Sequence, residues 1–356
     1  MNYDKKKTNY FENLKPIIRE YFNILSNEIP EFLEEYINTP VMQKQDGVSV
    51  SCGTFYSQLF PNKLWYSSLD HSVAVALIIW HFTKDKKQTL AGLFHDIATP
   101  VFKHCIDFMN GDYEKQESTE ELTFKMIKES QEIMKLLERD GIKIEKIADY
   151  HIYPIADNDT PRLSADRLEY TLSNGLGVIK KLWDLKEVGE VYQNIEIQIN
   201  EDGVEELGFK DKEIAKKFVK NMSHLSACYS SNERKLTMQF LADIMKKMSE
   251  NNLITQAEMY QLSEKEVIEK IENCKYENIA ECFKLWKNTN NIKESETFIE
   301  NKYCMNLKVK TRYIVPLVKT ENEFVKINQI SEMAKQDIEN AINFKPKEYA
   351  AFDFKF

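Results

Sequence analysis

Along most of the chain, apolar residues recur at three- and four-residue spacing, the period of an α-helix with one buried face. The clearest case follows Glu233, where Leu236, Phe240, Leu241, Ile244, Met245 and Met248 share one face. Such a stripe is read as core rather than as a cofactor pocket. Ser118 with Glu121, Ser230 with Glu233, and Ser263 with Glu266 have the spacing of capping boxes, in which each partner satisfies a free backbone N–H at a helix start. Ten glycines and nine prolines in 356 residues leave few breaks. The pattern switches to a period of two in two places. In NIEIQINEDGVEELGF, Ile195, Ile197 and Ile199 alternate with polar residues before Asp202-Gly203, which predicts a hairpin. In NLKVKTRYIVPLV, Leu307, Val309, Thr311 and Tyr313 alternate, which predicts a strand. The expected fold is mainly α: a helical lead over 1–60, a helical centre over 61–185, and a mixed part over 186–356 with a β-hairpin and a strand. No low-complexity linker or internal repeat interrupts it, so the three parts are expected to pack as one body.

Composition narrows the class. Hydrophobic residues make up 42% and charged residues 29%, a globular balance. The formal net charge of −9 argues against a broad nucleic-acid surface, which needs a basic face. An acidic protein that handles phosphates must concentrate positive charge locally, and a bound metal does so. The longest apolar run, Val73 to Trp80, is too short to span a bilayer. The first residues carry lysines with no apolar stretch behind them and do not form a secretory signal, so a cytoplasmic location is expected. Cys52, Cys105, Cys228, Cys274, Cys282 and Cys304 include no CxxC pair and read as reduced thiols.

The stretch LFHDIATPVFKH places His95 directly before Asp96 and His104 nine residues after His95. Upstream, His71 opens the apolar helix of SSLDHSVAVALIIW; downstream, Asp166 opens the helix of PRLSADRLEYTLSNG. His71, His95, Asp96 and Asp166 thus lie on three helices able to converge, and together offer two imidazoles and two carboxylates. Mixed nitrogen and oxygen donors suit one divalent ion, Mn, Fe, Ni, Zn or Mg, with positions open to water and substrate. Asp107, in the following turn, lies four residues beyond Lys103 and could pair with it. His151 in DYHIYP reads as a hydrogen-bonded structural histidine, and His81 and His224 also read as structural.

The order H…HD…D, with a proline and a further histidine after the HD pair and the last Asp opening DRLEY, resembles the HD-superfamily metal-dependent phosphohydrolases. It is most similar to their dGTP triphosphohydrolase-like branch, which includes the vertebrate SAM- and HD-domain dNTPase. The resemblance implies that His71, His95, Asp96 and Asp166 are the metal ligands. It further implies that His104 stands near the substrate phosphate, that Asp107 supports it, that Arg167 lies near phosphate, and that Tyr170 lines the sugar pocket. The chain departs from the branch at Thr99, Gln116-Glu117, Ser68 and Asn174, where the branch has a histidine, a His-Glu pair, an arginine and an aspartate. Thr99 therefore occupies a substrate-side position without a proton-transfer group. The implied function is hydrolysis of a nucleotide or related phosphate ester, with Asp96 or Asp166 orienting the water and His104 protonating the leaving oxygen or stabilising phosphoryl charge. The competing expectation is a catalytically weakened nucleotide-binding or regulatory HD protein. A small-molecule phosphate substrate is expected, nucleic acid and membrane are not, and helical proteins of this kind often form homo-oligomers.

Overall fold

The apolar run Val73–Trp80 lies inside the helix Ser68–Thr83, and from Val73 through Ile79 every side chain is buried. This helix is therefore wrapped on all sides and forms the axis of the fold. Its start is set by a capping box: Ser67 Oγ accepts the Asp70 N–H at 3.0 Å, and Asp70 Oδ2 accepts the Ser67 N–H at 2.9 Å. The same carboxylate accepts the Tyr10 hydroxyl at 2.6 Å, which ties the N-terminal lead to the axis. The helix Lys86–Phe94 packs closely against it. That contact needs Gly92, since a Cβ there would come within 2.3 Å of Ile79 Cδ1. The computed structural model describes residues 9–61, 64–112, 114, 122–321 and 323–356.

The chain is mainly helical, with short strands confined to the C-terminal part, as the spacing predicts. These are β1 (Ile195–Ile199), β2 (Glu205–Phe209), β3 (Lys293–Ser295), β4 (Tyr303–Met305), β5 (Leu317–Lys319), β6 (Phe324–Lys326) and β7 (Tyr349–Phe352). They form two small sheets, β1-β2-β5-β6 and β3-β7-β4. The predicted hairpin is β1–β2, antiparallel, with Gly203 in the turn at φ +75°. Its alternation differs from the expected one: Ile199 is 49% exposed and Gln198 is buried. Gly208 leaves the room that Gln198 fills, and Gln198 Nε2 donates to the Phe209 carbonyl at 2.9 Å.

Two further expectations are corrected. Residues 306–316 form no strand; the ladder begins at Leu317, and Val309 to Tyr313 lie along the wall of a cavity instead. A period of two marks an extended backbone, but only a neighbouring strand makes it part of a sheet. The helix Asn232–Glu250 is capped by Ser231 without a side-chain hydrogen bond, not by a Ser230–Glu233 box, whereas the Ser263–Glu266 box is present. Ser118, Glu121 and the Gln116-Glu117 pair lie outside the described residues.

Among the described residues the buried apolar side chains form two clusters. One surrounds the axis and takes in the N-terminal lead, the hairpin and residues up to Ile338. The other is built on the apolar face of Asn232–Glu250, as the stripe predicts, with Trp286, Phe352 and Val101 to Ile106. Among the described residues no helix is long and apolar enough to cross a membrane.

Candidate metal centre and cavity

Three chain segments deliver the four predicted ligands to one point. His71 lies in the first turn of the axial helix, His95 caps the C-terminus of Lys86–Phe94 with Asp96 next to it, and Asp166 lies in the first turn of Ala165–Ser173. His71 Nε2 is 3.2 Å from His95 Nε2, 3.1 Å from Asp166 Oδ1 and 3.9 Å from Asp96 Oδ2. His95 Nε2 is 3.8 Å from each of the two carboxylates. An ion bound at about 2.0–2.2 Å to N and O donors sets neighbouring donors roughly 3–3.5 Å apart, so these separations are close to the edges of a coordination shell. The donor atoms of His71, His95 and Asp96 all lie within 4.8 Å of one another, near enough to share one ion.

The tautomers also fit. His71 Nδ1 is hydrogen-bonded to Glu169, and His95 Nδ1 donates to the Gly92 carbonyl at 2.7 Å. Both Nε2 atoms therefore face the common point, and that of His71 offers a lone pair once a metal ion displaces its proton. Glu169 is fully buried and also accepts the hydroxyls of Tyr66 at 2.6 Å and Tyr21 at 3.2 Å. The sequence reading missed Glu169. Its signal was the i,i+3 spacing from Asp166 inside DRLEY, which puts both carboxylates on one helix face.

Charges at the point are strongly coupled. Burial disfavours a charged His71, but Glu169 and Asp166 outweigh it and hold the imidazole up at about 10. Burial also works against an ionised Asp96, but Lys103, His95 and His71 hold its carboxyl well below the usual range. Asp166 is likewise held low, against burial, by His71 and His95. Lys103 is a second residue that the sequence reading did not assign here. Its Nζ is 2.6 Å from Asp96 Oδ2, while Asp107 bonds His104 Nδ1 at 2.8 Å, so the Lys103–Asp107 pair does not form.

These groups line one wall of a cavity of about 450 Å³. His104 lines it too; burial, with help from Arg312 and Lys103, pushes its pKa below the ordinary histidine value. Tyr170 lines it beneath the Arg312 guanidinium, which lies 5.9 Å from the ring centroid. Arg167 lines it with its guanidinium held by Asp157 at 2.9 Å and by Asn158 Oδ1 at 2.8 Å. Asp107 is buried behind His104. Thr99 is not brought to this wall: it is buried, and its carbonyl accepts Lys44 Nζ at 2.8 Å and Gln45 Nε2 at 3.3 Å. His151 borders the cavity, between Asp149 at 3.0 Å and Asp157 at 3.4 Å. Lys103, Arg167, Arg234, Lys235, Lys310 and Arg312 also stand on the lining, so side chains as well as a metal site bring positive charge to it.

Residues 68–184 match the model of the HD domain. The chain is 28% identical over 149 residues to an uncharacterised protein, YdhJ, of Bacillus subtilis; the match covers 41% of this chain and 44% of that protein, so the chain spans less than half of that relative's length. Two solved structures share the fold over most of the chain. A hypothetical protein from Aquifex aeolicus has a TM-score of 0.62 at 17% identity, covering 90% of this chain and 92% of that one. A phosphohydrolase from Bacteroides thetaiotaomicron has a TM-score of 0.63 at 12% identity, covering 91% and 96%. The segment that matches the HD-domain model is the one that carries His71, His95, Asp96 and Asp166.

Proposed function

We propose that this chain is a metal-dependent phosphohydrolase acting on a nucleotide or a related phosphate ester, dGTPase-like by its resemblance. The observation that carries the reading is the convergence of two imidazole Nε2 atoms and two carboxylates on the wall of a cavity whose lining also brings together six lysines and arginines. His71, His95, Asp96 and Asp166 would hold one divalent ion, which supplies Lewis-acid polarisation of a phosphoryl oxygen and a more acidic bound water. Asp96 and Asp166 orient the attacking water. His104, oriented through Nδ1 by Asp107 and neutral before substrate arrives, offers the Nε2 lone pair as a proton acceptor beside the phosphoryl group, and can protonate the leaving oxygen only after taking up that proton. Tyr170 offers a ring against the substrate's sugar, and Arg167, held in place by Asp157, sets positive charge on the same wall. Thr99 contributes indirectly, through the loop that its carbonyl anchors.

A second reading, a nucleotide-binding or regulatory HD protein with weakened turnover, is favoured by one observation. Thr99 stands where the resembling branch has a histidine, and it does not line the cavity. A phosphate-release screen over nucleoside mono-, di- and triphosphates, with Mn, Fe, Ni, Zn and Mg in turn, separates the two. Metal-dependent release supports the first reading, and nucleotide binding without release supports the second.

A further inference from the structure

Arg234 stands in the first turn of the helix Asn232–Glu250, where the positive end of the helix dipole disfavours a cation. It is 8% exposed, and its guanidinium borders the cavity while lying 5.2 Å from the Phe60 ring centroid. Among the described residues, no carboxylate, carbonyl or hydroxyl accepts a hydrogen bond from its five donors. Its nitrogens open onto the cavity, so a guanidinium this far from bulk water and without a protein acceptor depends on what fills the cavity for its oxygens. Its neighbour Lys235 is 7% exposed, lines the same cavity, and donates one Nζ–H to the Leu307 carbonyl at 3.1 Å, with further N–H bonds to give. The extended segment 309–313 brings Lys310 and Arg312 to the same lining.

We propose that Arg234 and Lys235 form a binding site for a phosphate-type oxyanion, distinct in its residues from His71, His95, Asp96 and Asp166. The planar fork of Arg234 matches two oxygens of such a group, and Lys235 adds a point charge. The anion is either a second phosphate of the substrate or free inorganic phosphate. Only the first source rests on the hydrolase reading.

The test uses the full chain, metal-loaded, with inorganic orthophosphate as the probe against chloride at equal ionic strength. Orthophosphate should raise the Tm of the wild type. Arg234→Met should raise the Tm without anion, abolish the orthophosphate-dependent rise, weaken orthophosphate binding in calorimetry at least tenfold, and leave metal content unchanged. Arg234→Lys, which keeps the charge and loses the fork, should fall between, and decides the matter if Arg234→Met does not fold. If the anion belongs to the substrate, orthophosphate inhibits turnover competitively, and Arg234→Met raises KM at least tenfold more for di- or triphosphates than for a single phosphate ester. If it is free phosphate, inhibition is non-competitive; both patterns support the site. Orthophosphate binding that survives unchanged in a folded Arg234 variant, or that the wild type lacks, overturns the proposal. A wild type that releases phosphate from nothing removes the hydrolase reading, while the calorimetric comparison still decides the anion site.

Discussion

His71 is fit to bind a metal only because another residue fixes which of its nitrogens stays open. Glu169 takes the Nδ1 side and is itself held by Tyr21 and Tyr66, so its effect on metal binding is exerted through His71. Glu169→Gln should weaken metal affinity about 10–100-fold, read by calorimetric titration with Mn, with the helical circular dichroism signal kept. An unchanged affinity would sever that link. Asp166 acts directly: Asp166→Ala should release the metal and abolish turnover, while Asp166→Glu, with the same charge and a longer reach, should retain some metal with poor turnover. Full metal and full rate in Asp166→Ala would remove Asp166 from the ligand set. His104 differs from both, since its ring is hydrogen-bonded to Asp107 and not to these ligands. His104→Ala should lower kcat at least ~10²-fold with metal content unchanged. Because its pKa lies below the ordinary histidine value, a role requiring the neutral imidazole predicts a kcat/KM that is lost as pH falls, with a midpoint below 6.5. The His104→Ala profile should lack that acid limb.

At the scale of elements, the site depends on two helices meeting with no side chain between them. Gly92 both allows the approach of Lys86–Phe94 to the axial helix and supplies the carbonyl that orients His95. Gly92→Val should cost ~1–3 kcal/mol through overpacking against Ile79 and Val75, seen as a lower denaturant midpoint, and should also weaken metal binding. If metal affinity holds while stability falls, the glycine serves packing alone. The segment 307–313 carries the complementary lesson. Its alternation was legible, but with no ladder partner it became a cavity wall, and the residues that read as one strand face include lining residues such as Val309 and Tyr313.

At the scale of the molecule, Glu264 connects the second core to the site region. It is fully buried at the start of the helix Glu264–Glu272 and accepts the Ser49 N–H at 3.1 Å. Burial pushes its pKa up to about 8 from 4.5, against the pull of Ser49, Tyr56 and Lys44. An acid whose pKa is raised by folding binds more protons in the folded state across that interval. Its stabilising contribution is therefore present below about 4.5 and lost as pH rises through about 8. Chemical denaturation between pH 5 and 8 should show wild-type stability falling along this window, and Glu264→Gln should flatten the fall while keeping an acceptor for Ser49. Identical slopes in the two proteins would count against the raised pKa.

The mainly helical class, the hairpin, the apolar face after Glu233 and the four side chains that converge on the cavity wall could all be read from local information. Period, cap chemistry and the H…HD…D order are written in residues that lie next to each other or repeat at short spacing. Glu169, Lys103 and Arg234 were not legible in that way. A buried carboxylate becomes an orienting group only when Tyr21, from the N-terminal lead, and Tyr66 close on it. A lysine four residues before an aspartate looks like its helical partner until the loop turns it towards Asp96. An arginine in a first helical turn looks like surface charge until the fold buries it, with no ion-pair partner among the described residues. Sequence determined which side chains can bind a metal; tertiary structure alone decided which of the others face it, because desolvation and pairing are properties of the surroundings and not of the residue.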